Sequence, residues 1–146
     1  ESIIERRNMT TDTTRKIIEL SKSYKNIIKI GVDDAGVGFG VYCELMNNDE
    51  TKRKTIALNN ASRPTDKDGE KSKRILKEEM YFNLLTLMEN KLIKLLDDDE
   101  VKASLSSIQL EEEKIFSSYG HVTEGIVRAA WLASQNKDLN IFAHTF

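Results

Sequence analysis

Two places in this sequence of 146 residues gather side chains able to bind a metal ion or move a proton. The first is Asp33-Asp34, followed at once by Gly36-Val37-Gly38-Phe39-Gly40. Carboxylates are oxygen ligands for hard divalent cations. Glycines let the backbone come close to a phosphate, and a helix start favours anions. The plainer alternative is that the two aspartates cap the next helix and the glycines serve tight packing. The second place is Tyr119-Gly120-His121-Val122-Thr123-Glu124. His121, Glu124 and Arg128 are spaced i, i+3 and i+7, so on a helix they share one face. A carboxylate and an imidazole so placed can bind a divalent metal and shuttle a proton. The alternative here is a helix cap with a solvent-exposed polar stripe.

Other polar clusters are weaker candidates. Asp97-Asp98-Asp99-Glu100 is a run of four acids whose side chains point apart, which suits a solvated helix start better than one ion. Arg63, Lys67, Lys71, Lys73 and Arg74 alternate with Asp66, Asp68 and Glu70, the pattern of a solvated loop. Arg63, Lys67, Lys71 and Arg74 remain candidates for non-specific contact with DNA phosphates. Cys43 lies in a helical pattern with no histidine or basic residue beside it, so it is not read as a nucleophile.

The elements that must position these residues follow from periodicity. Residues 1–11 read as frayed, with Thr10, Thr11 and Asp12 as cap chemistry for a helix over 12–24. Ile27, Ile28, Ile30 and Val32 form a β-branched run, a buried strand ending at Asp33. A short helix through Val41, Tyr42 and Leu45 and a strand over 55–58 complete a βαβ pattern. Residues 59–74, with Pro64 and Gly69, read as a flexible loop. Leu76, Met80, Leu84 and Leu87 mark the buried stripe of a helix over 72–90. Beyond it the pattern predicts a strand over 92–96 and a helix over 99–106. A hairpin over 107–119 follows, with Ile108, Leu110 and Ile115 inward. The last helix spans 121–134, with Val122, Ile126, Ala129 and Ala133 as its apolar face, and a closing strand covers 139–142.

Composition bounds the class. Hydrophobic residues make up 39% and charged residues 32%, as in a globular domain, and the length suits a single domain over 1–146. No apolar run approaches the ~18 residues of a membrane span. A lone cysteine excludes an internal disulfide and a thiolate zinc cluster, and points to a reducing cytoplasm. With 22 basic and 24 acidic residues the net charge is −2, so any DNA affinity must come from local patches.

In order, the segments IGVDDAGVGFGVYCEL (30–45), TIALNNAS (55–62), KEEMYFNLLTLMENKLIKLL (77–96) and GHVTEGIVRAAW (120–131) resemble the nuclease domain of phage terminase large subunits. The resemblance spans about residues 12–142 and implies an α/β fold, an RNase H-like sheet flanked by helices. It also implies an endonuclease that cuts concatemeric viral DNA by two-metal phosphodiester hydrolysis, using Mg²⁺ or Mn²⁺. Carried over, Asp33 matches the acid that ends the family's fourth strand. Glu124 matches the acid on the last helix, where Asp is more usual, and His121 matches an accessory histidine. Cys43 replaces a usual acid in the glycine segment.

The family's first catalytic Asp lies on a strand ahead of the opening helix, and this sequence starts at that helix. The resemblance therefore implies an N-terminally truncated sheet, inactive alone, with an exposed edge prone to homo-oligomer formation. Expected partners are double-stranded DNA and, in the bacterial host cytoplasm, the terminase motor domain, the small terminase subunit and the portal. No membrane is expected. Two other classes stay open. One is a noncatalytic module that grips DNA or a packaging partner. The other is a nucleotide-binding regulatory domain with Gly36 to Gly40 as its phosphate cradle.

Overall fold

The computed structural model describes residues 9–65, 68–111 and 114–135. They form a mixed α/β arrangement of five helices and two two-stranded sheets. The described residues group into two compact units, one up to Ser62 and a second from Arg63 onward. The strand expected over 139–142 and the candidate DNA contact Lys67 lie outside the described residues.

In the first unit, helix α1 (Thr10–Ser23) starts two residues earlier than expected. Met9 is its N-cap and offers no side-chain bond, so Thr10, Thr11 and Asp12 belong to the first turn and do not cap it. Asp12 still suits the helix N-terminus, and it pairs with Arg15 at 3.1 Å. Strand β1 (Ile30–Val32) pairs in parallel with β2 (Thr55–Ala57), register Ile30↔Thr55 through Val32↔Ala57. Helix α2 (Gly38–Asn47) forms the crossover, so the expected βαβ unit is present. The expected strand over 27–32 is shortened to its last three residues, because β2 offers only three partners; Ile28 is 53% exposed. Val32, Val41 and Leu45 form the core, covered by Ile17 and Ile18 of α1. Lys54 Nζ donates to Ser21 Oγ (3.2 Å) and Glu50 Oε1 (2.8 Å), tying the turn before β2 to α1. That hydrogen bond and the lysine charge hold the Glu50 carboxyl below its ordinary range.

In the second unit, helix α3 (Leu76–Glu89) buries Leu76, Met80, Leu84 and Leu87 as the periodicity predicts, and Tyr81 with them. It begins at Leu76 and not at 72, because Glu78 Oε2 reaches back to accept from the Ile75 N–H (3.3 Å). It ends through Lys91, held at φ +56°, with the Leu92 N–H donating to Leu87 O (2.8 Å). The strand expected over 92–96 does not form. The left-handed turn at Lys91 redirects the chain, leaving Leu92 60% exposed with no strand beside it among the described residues.

Helix α4 (Asp99–Ser106) starts as the acidic run implied, with the Asp98 carboxylate accepting from the Glu100 and Val101 N–H groups. The hairpin is β3 (Ile108–Glu111) against β4 (Lys114–Ser117), register Leu110↔Ile115. Ile108 and Ile115 are half-buried, but Leu110 is 61% exposed and does not point inward; it sits beside the turn of the ribbon.

Helix α5 (His121–Gln135) buries Thr123, Val127 and Ala130. This face is one residue on from the Val122/Ile126/Ala129/Ala133 face expected from hydropathy, and Ala129 is exposed. The rotation has a polar cause. Thr123 is fully buried because Ser104 of α4 satisfies it, through a 2.9 Å bond between the hydroxyls and a 3.0 Å bond from the Thr123 N–H. Helices α3 and α4 both pack on α5. Hydropathy alone undervalues a satisfied threonine.

Candidate functional site

Asp33 follows the last residue of β1, at the carboxyl end of a parallel strand, where α/β sheets place their sites. One oxygen, Oδ1, accepts from the Ala35 N–H (3.1 Å) in an Asx-type turn. The other, Oδ2, accepts from Asn60 Nδ2 at 2.9 Å. Neither aspartate caps α2, whose N-cap is Val37 without a side-chain bond.

The glycines have packing roles here. Gly36 takes φ +56°, the turn that admits the chain to α2. A Cβ on Gly38 would lie 1.9 Å from the Asp33 carbonyl oxygen, so only glycine fits. Backbone conformation at Gly36 and close approach at Gly38 account for these two glycines without reference to a phosphate.

Next to it, Asp34 is half-buried, and its Oδ1 is enclosed with no hydrogen-bond partner. An enclosed carboxylate oxygen without a donor is costly unless a cation, a proton or water meets it. The donor chemistry of Asp33 and Asp34 therefore fits a divalent metal ion.

Glu124 is in a different situation, in the second unit. Its Oε1 accepts from the Tyr81 hydroxyl (2.9 Å) and lies 3.9 Å from Lys77 Nζ. Its Oε2 pairs with Arg128 Nη1 at 2.5 Å, and that nitrogen also donates to the backbone carbonyl of Glu124 (2.8 Å). The side chains of Glu124 and Arg128 keep 27% and 12% of their exposure. This is a half-buried clasp joining α5 to α3, not the solvent-facing stripe expected. The rotation of α5 turns these residues inward. With both oxygens engaged and two cations within 4.0 Å, the carboxylate is already neutralised. A divalent ion there would meet repulsion from Arg128 and Lys77. As it stands, this donor set does not fit a metal.

His121 is exposed as the first residue of α5. Among the described residues no hydrogen bond or ion pair joins it to Glu124, and within either unit no three His, Cys, Asp or Glu side chains cluster to hold a metal ion on their own. Of the candidate DNA contacts, Arg63 and Lys71 are exposed. Lys71 belongs to a segment ordered by a bridge with Thr65, so the 59–74 loop has local structure of its own. Arg74 stacks over the Phe82 ring, 4.2 Å from its centroid, which anchors it to α3. Cys43 is half-buried within α2.

Burial pushes the Tyr81 hydroxyl well above the usual tyrosine range, helped by its hydrogen bond to Glu124 and that residue's charge and partly offset by Arg128. A raised folded-state value stabilises the fold below the unfolded value of about 10, and that stabilisation is lost as pH rises through the higher folded value. Tyr81→Phe is therefore expected to cost about 1–2 kcal/mol at pH 8, the worth of a hydrogen bond to a charged acceptor. The gap to wild type should narrow above about pH 10. Urea unfolding at pH 8 and pH 11 measures both; a gap that stays constant would remove Glu124 as the partner of that hydroxyl.

Two residues of this geometry, Asn60 and Tyr81, are absent from the sequence-level candidates. Asn60 was findable: it lies shortly beyond the end of β2 as Asp33 lies beyond the end of β1, and parallel neighbours present their carboxyl ends on the same side. Tyr81 carried a weaker signal, a phenol next to the apolar stripe of α3.

Comparison with known proteins leaves the chain without a match: no protein-family model, curated protein or solved structure shows significant similarity to it.

Proposed function

We propose that this chain is a metal-dependent endonuclease domain of the RNase H-like kind, from the large subunit of a phage DNA-packaging terminase. The observation that carries the reading is Asp33, oriented by two hydrogen bonds at the carboxyl end of a parallel strand, beside an enclosed and unpartnered oxygen of Asp34. The ordered sequence resemblance supplies the reaction class.

Asp33 and Asp34 would hold Mg²⁺ or Mn²⁺. A divalent ion bound there supplies an activated water and charge for the leaving 3′ oxygen. Asp33 contributes an anionic oxygen oriented by the Ala35 N–H and Asn60 Nδ2. The resemblance assigns His121, exposed at the start of α5, the part of the accessory histidine. Glu124, in the second unit, would take a cation only by exchanging its contacts with Arg128 and Lys77 for it. Arg63 and Lys71 are exposed cations for the DNA backbone. Among the described residues β1 and β2 pair only with each other, so each leaves an edge where a further strand, from this polypeptide or a second copy, would add.

The test is nicking of supercoiled plasmid by the gene product at its native length, in Mn²⁺ and in EDTA. Nicking in Mn²⁺ alone is the expected result. A folded protein inert with both Mn²⁺ and Mg²⁺ would transfer the assignment to a second reading, a noncatalytic module that grips DNA or a packaging partner. The neutralised state of Glu124 favours that second reading. No helix among the described residues is long and apolar enough to cross a membrane.

A further inference from the structure

We propose that Asn60 is a positioning residue that fixes the carboxylate plane of Asp33 for metal binding. This rests on Asp33 being a metal ligand.

The two bonds to Asp33 come from different places. The Ala35 N–H holds Oδ1 from two residues further along the same chain, and a short Asx turn of this kind does not by itself fix the other oxygen. Asn60 Nδ2 holds that oxygen from across the sheet, at 2.9 Å. The parallel register makes this reach possible. Val32 pairs with Ala57, and the Leu58 N–H donates to Val32 O (2.8 Å), so the segment after β2 runs beside Asp33.

Asn60 is itself held in place. Asn59 Oδ1 accepts from the Ala61 N–H (2.9 Å), while Asn59 O accepts from both the Ser62 N–H (3.0 Å) and Ser62 Oγ (2.8 Å). Asn60 thus projects from a locked turn. An ionised carboxylate only accepts, so the amide must present its NH₂ group to it.

The chemistry of the donor matters as much as its place. Each carboxylate oxygen has two lone-pair directions, so a single amide donor does not exhaust the oxygen it meets. An amide orients the group without cancelling its charge. Glu124 offers the contrast within the same chain, since its partners include arginine and lysine, which orient and neutralise together. Ligating carboxylates depend on such outer partners, and losing one typically costs about 10–100-fold in metal affinity.

Mn²⁺ binding to the native-length protein, read by electron paramagnetic resonance of free and bound ion, tests this with three variants. Asp33→Ala is expected to abolish binding. Asn60→Leu, close in size but without a donor, should weaken it about 10–100-fold and broaden the bound-ion spectrum, because a loosened carboxylate samples several geometries. Asn59→Ala removes only the side-chain bond to the Ala61 N–H, leaves both Ser62 bonds to the Asn59 carbonyl that hold the turn, and should stay within about twofold of wild type. If Asp33→Ala or the wild type shows no Asp33-dependent binding, the ligand reading fails and this inference falls with it. If Asp33→Ala loses the ion while Asn60→Leu matches wild type in affinity and spectrum, the inference alone is overturned. Equal weakening by Asn59→Ala would overturn it too, in favour of loop integrity. Should Asn60→Leu not fold, Asn60→Ala carries the same expectation.

Discussion

Asp33→Ala in the native-length protein is expected to slow Mn²⁺-dependent nicking of supercoiled DNA by more than about a hundredfold, since outer-shell partners alone cost up to that much. The same change should cost only about 1–2 kcal/mol of stability. It removes two hydrogen bonds, from the Ala35 N–H and Asn60 Nδ2, each worth about 1 kcal/mol net. Activity and stability therefore separate, and that separation is the signature of a ligand. The rate of nicked-circle formation in saturating Mn²⁺, set beside a thermal melt in EDTA, measures both. A variant that cuts as fast as wild type would sink the catalytic assignment. One that loses activity only because it melts would demote Asp33 to a structural role.

How much of this was legible in the sequence depended on whether a residue's environment is set nearby or across the fold. The stripe Leu76, Met80, Leu84 and Leu87 was readable because a 3.6-residue period is a local property. The start of α4 was readable because Asp98 bonds N–H groups within three residues of itself. The position of Asp33 at the end of β1 followed from a β-branched run meeting two acids. Other features needed a partner from elsewhere. The expected strand over 92–96 failed at Lys91, a non-glycine residue in a left-handed turn that propensity does not anticipate. Helix α5 was read one residue out of phase because Ser104, 19 residues away, satisfies Thr123 and lets it bury. The company of Glu124 was invisible for the same reason. Arg128 was near in sequence, but Tyr81 lies 43 residues earlier, and only the packing of α3 on α5 brings it in.

That clasp gives the second large effect. Glu124→Ala is expected to destabilise the chain by about 2–3 kcal/mol in EDTA. Removing one partner of a fully buried ion pair costs about 3–5 kcal/mol, because the charge left behind is stranded. The figure is reduced here because Glu124 keeps 27% of its side-chain exposure and Arg128 still bonds the backbone carbonyl of residue 124. The buried Tyr81 hydroxyl loses its acceptor as well. Glu124→Gln should fall between, since an amide oxygen can still accept from Tyr81 but cannot neutralise Arg128. The sign of the effect separates two roles for this carboxylate. A ligand held in place only for metal would repel neighbouring acids when the ion is removed, so alanine would be neutral or stabilising in EDTA. A clasp has its cations built in, so alanine is destabilising whether metal is present or not. Urea unfolding of wild type and both variants, in EDTA and in Mn²⁺, decides between them. A loss in EDTA that Mn²⁺ does not enlarge assigns Glu124 to holding α5 against α3. A loss seen only in Mn²⁺ returns it to the metal, and Arg128 and Lys77 must then give way when the ion binds.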